Sequence, residues 1–257
     1  MPKSHKGEAS VRYLARGLRF TVLVSVAATL IFAPSRLARA TTINASSASQ
    51  SDVAAAIASA ADGDVLTIPG GTATWTRTLV VRKAITLQGA GVGSTIIKDA
   101  VQKGRLISWT LTAGHLSRLT GIEFQDGGRV NVGAAPEGIL HVTGSNTNRS
   151  QFRWDHCKWN NLNGFPVLDT VIGVVDHNNI TVGSVTNEWI YIYGSNWNGG
   201  QFGDGSWAVP ANFGSSQFLF VEDNTILGTH PTVQSAIVDA FAGAFRNTLQ
   251  LYSGRHN

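Results

Sequence analysis

From residue 64 onward the chain alternates short apolar runs with turn-forming residues. The runs "DVLTIPGG", "TLVVRKAITLQGAG" and "STIIKD" are followed by "RLISWTLT", "SRLTGIEF", "GILHVTG", "SQFRWDHCKW", "VIGVVDHNNITV", "WIYIYG" and "SQFLFVEDNTIL". Each apolar stretch is rich in Val, Ile, Leu and Thr and is bounded by Gly, Pro, Asp or Asn. That is the pattern of short strands joined by turns. One earlier segment breaks it. In "SDVAAAIASAADGD", residues 51–64, Val53, Ile57 and Ala60 fall on one helical face, Ser51 or Asp52 can cap the start, and Gly63 can end it. The expectation is one short helix followed by an all-β chain.

Three of the runs repeat one another. "WDHCKW" (154–159), "VDHNNI" (175–180) and "VEDNTI" (221–226) align with Trp159, Ile180 and Ile226 in one column. Cys157, Asn178 and Asn224 fall in a second, Trp154, Val175 and Val221 in a third, and Phe152, Gly173 and Leu219 in a fourth. "LTGIEF" (119–124) is a weaker copy, with Leu119, Ile122 and Phe124 in the matching places. The steps are 21 and 46 residues. A period near 20–25 residues in an all-β chain predicts stacked coils, and the longer step is either two coils or one coil carrying a long loop. The column of Asn178 and Asn224 predicts an internal amide ladder at a turn where Asn tolerates left-handed backbone, with Cys157 as a substituted rung. The Asp and His that precede each rung are then expected on the outside of the turn. A lone cysteine forms no internal disulfide and reads as a small buried apolar residue.

Composition adds two constraints. Hydrophobic residues make up 43% and charged residues only 14%, enough apolar material to fill a core and too little charge for a disordered chain. The basic excess is concentrated at the start. Arg12, Arg16 and Arg19 precede the apolar run "TVLVSVAATLIFA" (21–33), and "PSRLARA" ends in an A-x-A arrangement. This is the layout of a secretory signal peptide over residues 1–40, cleaved after Ala40, and it predicts a secreted protein, extracellular or periplasmic, with no stable membrane span after cleavage. Beyond residue 40 the chain has 13 basic and 15 acidic residues, so the overall positive charge is no argument for nucleic acid. Residues 41–50 read as a flexible leader, and 51–257 as the folded domain.

With those residues in view, the chain resembles the right-handed parallel β-helix proteins of the pectate-lyase-like superfamily. The resemblance rests on "VAAAIASAADGDVLTIPGGTATWTRTLVVRKAITLQGAG", similar to that superfamily's capping helix and first coil, on the turn "VEDNTI", and on "FRWDHCKW", similar to a Trp-x-Asp-His-Cys stretch of pectate lyases. It covers roughly residues 50–243. It implies a single-stranded right-handed solenoid with a short N-terminal capping helix, acting on a polysaccharide, with calcium-assisted β-elimination on an acidic, pectin-like substrate as the expected reaction. The fold also carries hydrolases, viral spikes and adhesins, so a non-catalytic glycan-binding or adhesive surface protein, or a truncated inactive relative, stands as the alternative.

Two regions are candidates for chemistry. The acidic column Asp155, Asp176 and Glu222 would place carboxylates on adjacent coils, able to hold calcium or to share acid–base work on a glycosidic bond. The other reading is an ordinary acidic turn surface. Residues 188–216, "EWIYIYGSNWNGGQFGDGSWAVPANFGSS", carry Trp189, Tyr191, Tyr193, Trp197, Asp204 and Trp207. Aromatic faces with amides and a carboxylate suit a sugar-binding groove, while a loop folded over its own aromatics fits the composition equally. Arg129, Arg149, Arg153 and Lys158 are available cations, but no Arg-x-Pro-x-x-Arg motif marks a base, and the polygalacturonase motifs are absent. "GAGVGS" (89–94) reads as a turn, since no helix pattern follows it. The segment "AIVDAFAGA" (236–244) reads as one more coil, followed by either missing coils or a short cap over 245–252.

Overall fold

A computed structural model describes residues 40–129, 139–144, 150–160, 164, 166–182, 190–193, 219–228, 238–240 and 252–253. After β1 (Thr42–Asn44) comes α1 (Gln50–Ser59), the one helix among the described residues. The remaining strands fall into three sheets, and every strand pairing is parallel. The first sheet holds β1, β2 (Val65–Ile68), β5 (Thr86–Gly89), β8 (Leu116–Thr120), β11 (Ser150–Asp155), β14 (Val171–Asp176) and β17 (Leu219–Glu222). The second holds β3 (Gly71–Trp75), β6 (Thr95–Asp99), β9 (Glu123–Asp126), β12 (Lys158–Asn160), β15 (Asn179–Val182), β18 (Thr225–Gly228) and β20 (Tyr252–Ser253). The third holds β4 (Leu79–Val81), β7 (Ile107–Thr110), β10 (Leu140–Thr143), β13 (Val167–Asp169), β16 (Ile190–Tyr193) and β19 (Val238–Ala240). From β2 to β19 the chain visits the first, second and third sheets in rotation. Each successive triplet forms a tier on the one before, an arrangement compatible with a parallel β-helix-like solenoid.

The repeat columns are the pairing register. Trp154 stands beside Leu119 and Val175, and Val175 beside Val221. Trp159 stands beside Phe124 and Ile180, and Ile180 beside Ile226. All of these side chains are buried in one continuous core. A fully buried Val, Leu or Phe contributes about 1.5–3 kcal/mol, so identity is held most tightly in the inward columns. The aromatic members also meet edge to face, Phe124 with Trp159 at 4.4 Å and Trp109 with Phe152 at 5.4 Å between ring centroids. The 46-residue step is settled by β14 pairing directly with β17. It is one tier that carries the long segment containing β16.

Several local expectations shift. The helix begins earlier than Ser51: Ser49 is the N-cap, its hydroxyl accepting from the Asp52 N–H at 3.2 Å. It stops at Ala60 rather than Gly63, because Lys83 Nζ reaches over from the next segment and donates to the terminal carbonyls of Ile57, Ala58 and Ala60. Val53, Ala56 and Ile57 form the buried face. Residues 41–44 are not a free leader. Thr42–Asn44 pairs with β2, and Thr41 donates through both N–H and hydroxyl to Asp64. The turn expected over 89–94 is present from Ala90, since Gly89 ends β5, and it is closed by Ser94 N–H to Gly91 O at 2.9 Å. At the far end, β19 pairs with β16 and β20 with β18. No described helix is long and apolar enough to cross a membrane.

Candidate functional site

The first sheet brings the acidic column together. Asp155 is in register with Asp176, and Asp176 with Glu222, on three consecutive tiers. Two positions upstream, Arg118 and Arg153 share the neighbouring outward column. Each arginine leans one tier forward. Arg118 grips Asp155 through Nε and Nη2 at 2.7 and 2.5 Å, and Arg153 grips Asp176 at 3.3 and 2.9 Å. The column ends where Val174 takes the arginine position, so Glu222 has no such partner from β14.

The expectation that Asp and His lie together on the outside of the turn is half correct. The Asp155 side chain has no exposure and Asp176 only 7%, because the guanidinium groups cover them, whereas His156 and His177 remain more than half exposed. Burial alone would raise the Asp155 carboxyl. The hydrogen bonds from Arg118 and His156, with the charges of Arg118 and Arg153, outweigh it and hold the group below the usual carboxylate range. Reciprocally, the Asp155 hydrogen bond raises Arg118 further. Both histidines point Nδ1 at the preceding aspartate, at 2.7 and 2.8 Å, and their rings stack. In a neutral imidazole donating from Nδ1, Nε2 is left as an outward acceptor.

Beneath this column runs the amide ladder. Asn178 Oδ1 accepts from Cys157 N–H, and Asn224 Oδ1 from Asn178 N–H, both at 2.9 Å. The Asn178 amide donates to Trp154 O, and that of Asn224 to Val175 O. Cys157 is indeed the substituted rung: backbone N–H groups of Ile122 and Gly121 are directed at its thiol, and burial pushes that thiol up to about 12. It is no nucleophile. The left-handed residue is not the asparagine but the one before it. His156, His177 and Asp223 have φ of 51°, 54° and 52°, and Gly121 holds the same place in the weaker copy with φ 70°. The sharp turn therefore falls between the outward acid and the inward rung.

The other cations are engaged as well. Lys158 pairs with its cross-strand neighbour Glu123 at 3.1 Å. Arg129 forms a buried two-point pair with Asp99 and donates to Gly104 O. Arg149 lies outside the described residues. As a calcium donor set the acidic column fits poorly, since the oxygens of Asp155 and Asp176 are already turned to arginine and histidine. Among the described residues, no group of three or more His, Cys, Asp or Glu stands where it could hold a metal ion. No chemical step is therefore derived through calcium.

Of the aromatic segment, residues 190–193 are described, and they form β16 in the third sheet. Ile190 and Ile192 are buried, and Tyr191 and Tyr193 occupy the alternate register positions beside Val167 and Asp169. Trp189, Trp197, Asp204 and Trp207 lie outside the described residues. Two tiers back from these tyrosine positions, on the far side of Val167, is a residue the sequence reading passed over. His141 stands between Ser108 and Val167, is 8% exposed, and has no hydrogen-bond partner on either ring nitrogen. Burial, with the nearby charge of Arg105, holds it down to about 4. A polar residue in the middle of the otherwise apolar "GILHV" was the available signal. Two residues beyond Val167, Asp169 is raised by burial, against the hydrogen bond it accepts from Thr170. Thr170 itself adopts φ 58°, uncommon for a β-branched residue.

Compared with protein families, curated proteins and solved structures, the chain matches none. By its own architecture it is an all-β protein of three parallel sheets, with one helix among the described residues.

Proposed function

We propose that the chain is a secreted carbohydrate-active protein, a right-handed parallel β-helix of the pectate-lyase-like kind, that engages an acidic, pectin-like polysaccharide along the outer face of the third sheet. Handedness follows from the general preference of parallel crossover connections, right-handed in about 98% of cases. The observation that carries the functional reading is the placement of β16. Strand β16, Ile190–Tyr193, stands in the third sheet with Tyr191 and Tyr193 in register with Val167 and Asp169, and His141 and Thr143 follow one tier beyond those, two tiers from β16. Aromatic positions in columns shared with carboxylate, hydroxyl and imidazole groups are the composition of a sugar-binding surface.

A non-catalytic glycan-binding role is the second reading. It is favoured by the arginine pairing of Asp155 and Asp176, which takes those carboxylates out of acid–base work. One assay separates the two. Residues 41–257 are incubated with a panel of polyuronates, with and without added Ca²⁺, while the ultraviolet absorbance of unsaturated sugar ends is followed and binding is measured in parallel. A rise in absorbance identifies a lyase. Saturable binding with a flat trace identifies a binding protein. Folded protein that neither binds nor cleaves any member of the panel removes the acidic-glycan reading.

A further inference from the structure

Three features outside the acidic column could carry chemistry: the Arg129–Asp99 pair, Cys157, and His141 with its surroundings. The first is sealed and internally satisfied, and the second is an inert rung of the ladder. His141 differs, because it is a buried polar side chain with nothing to bond. Buried polar atoms nearly always find partners, and one that does not asks for an explanation.

The position of His141 limits what that partner can be. Leu140 and Val142 on either side are core residues, so strand alternation puts His141 on the outer face of the third sheet. Ser108 precedes it in the same outward column and Val167 follows. The parallel outward column holds Thr110, Thr143 and Asp169, with the Thr170 hydroxyl fixing Asp169 Oδ1 at 2.8 Å. A left-handed threonine is backbone strain of the sort that persists where surroundings over-determine it, often at functional sites.

The chemistry of the ring narrows the class. A neutral imidazole offers one donor and one acceptor on opposite edges. A metal ion would use only the acceptor. A free anion would meet an uncharged ring with Asp169 nearby. Hydroxyl groups both donate and accept, so a polyol can satisfy both nitrogens, and Ser108, Thr143 and Asp169 extend the same kind of surface.

We propose that His141 is a ligand-contacting residue of a saccharide site on the outer face of the third sheet, its two ring nitrogens pairing with sugar hydroxyls while Ser108, Thr143 and Asp169 supply the neighbouring polar contacts. This rests on the glycan reading above and names the residue that specifies hydroxyl recognition.

The test uses the whole secreted chain, ¹⁵N-labelled at histidine, titrated separately with an oligogalacturonate and with a neutral cello-oligosaccharide. Saturation by a bound probe should move both His141 ring nitrogens and leave those of His156 and His177 in place. His141→Leu should lose about ten-fold in affinity, as expected for one uncharged hydrogen-bonding site. Its thermal midpoint should hold or rise, since the variant removes an unpaired buried group. His141→Gln, which keeps a donor and an acceptor, should retain most of the affinity. A probe that binds without moving the His141 nitrogens, or that binds His141→Leu as tightly as the parent, overturns the assignment and leaves the glycan reading standing. Failure of the parent chain to bind either probe, or any polyuronate, removes both.

Discussion

Arg118 on β8 closes a two-point contact with Asp155 on β11, one tier further along, and covers the carboxylate so completely that its side chain keeps no exposure. The guanidinium itself remains about one-third exposed. Removing the arginine would strand a buried charge. Arg118→Ala should therefore destabilise the fold by roughly 2 kcal/mol, less than a fully buried pair costs because solvent screens the outer side. Combining it with Asp155→Asn should recover part of the loss, a coupling that urea denaturation of the four-member cycle would measure. The acid limb follows from the direction of the shift. Asp155 is held low in the folded chain, so its contribution is present above the ordinary carboxylate value and disappears as pH falls through the folded one. Arg118→Ala should flatten that limb. Strictly additive single effects would show that the pair is not coupled.

The amide ladder makes a sharper prediction. Asn178 serves the Cys157 N–H, the Trp154 carbonyl and Asn224 at once. Asn178→Ala leaves buried groups unpaired and a small void, at a cost of about 2–4 kcal/mol. Cys157 provides a local reporter. In the parent chain its buried, high-pKa thiol should resist a disulfide reagent until the chain unfolds. Asn178→Ala should speed labelling well before global unfolding. Unchanged labelling kinetics would mean the rung is not holding the turn closed.

How much of this was legible in the sequence depends on which side of the strand a residue faces. Inward columns such as Trp154, Val175 and Val221 are readable because the same packing site recurs on each tier and the same apolar class fills it. The Asn rungs are readable for the same reason. Outward residues obey no such repeat. That Arg118 would bury Asp155 needs the pairing register between β8 and β11, across residues 37 apart in sequence. The weaker copy hides it by carrying Thr120 where the later tiers have Asp. The helix cap was missed because Ser49, Ser51 and Asp52 are all competent caps, and the choice falls to whichever the following tier fixes. His141 left only a weak signal, one polar letter in an apolar run, with no periodicity to single it out.

Gly173 tests the register directly. It lies in the middle of β14, opposite Phe152, with φ 135°. A Cβ there would come within 2.0 Å of the Phe152 carbonyl oxygen. Backbone cannot retreat without parting β11 from β14, so Gly173→Ala should cost more than about 3 kcal/mol or abolish folding, beyond the usual range for a single substitution. The same change at Gly114, also at positive φ but with open space around its Cβ position, is a control for conformational cost alone. Thermal melts of the two variants should separate widely. Similar melts would mean β11 and β14 do not approach as closely as this register requires.

His141 predicts an acid response of the opposite origin to that of Asp155. Its imidazole is held down to about 4 in the folded chain against 6.5 for an ordinary histidine, with burial the larger cause and the Arg105 charge the smaller. Asp169, raised by its own burial, is the carboxylate of the adjoining outward column. Because the unfolded chain binds a proton that the folded chain refuses, stability should fall as pH drops from about 6.5 and level off near 4. The loss over that window is on the order of 3 kcal/mol. His141→Leu has no proton to gain and should erase this part of the profile while leaving the carboxylate limb below it. Denaturant midpoints of parent and variant at a series of pH values would show two curves that converge in neutral buffer and part through the histidine window. Parallel curves would show that His141 is not the group that titrates in this window.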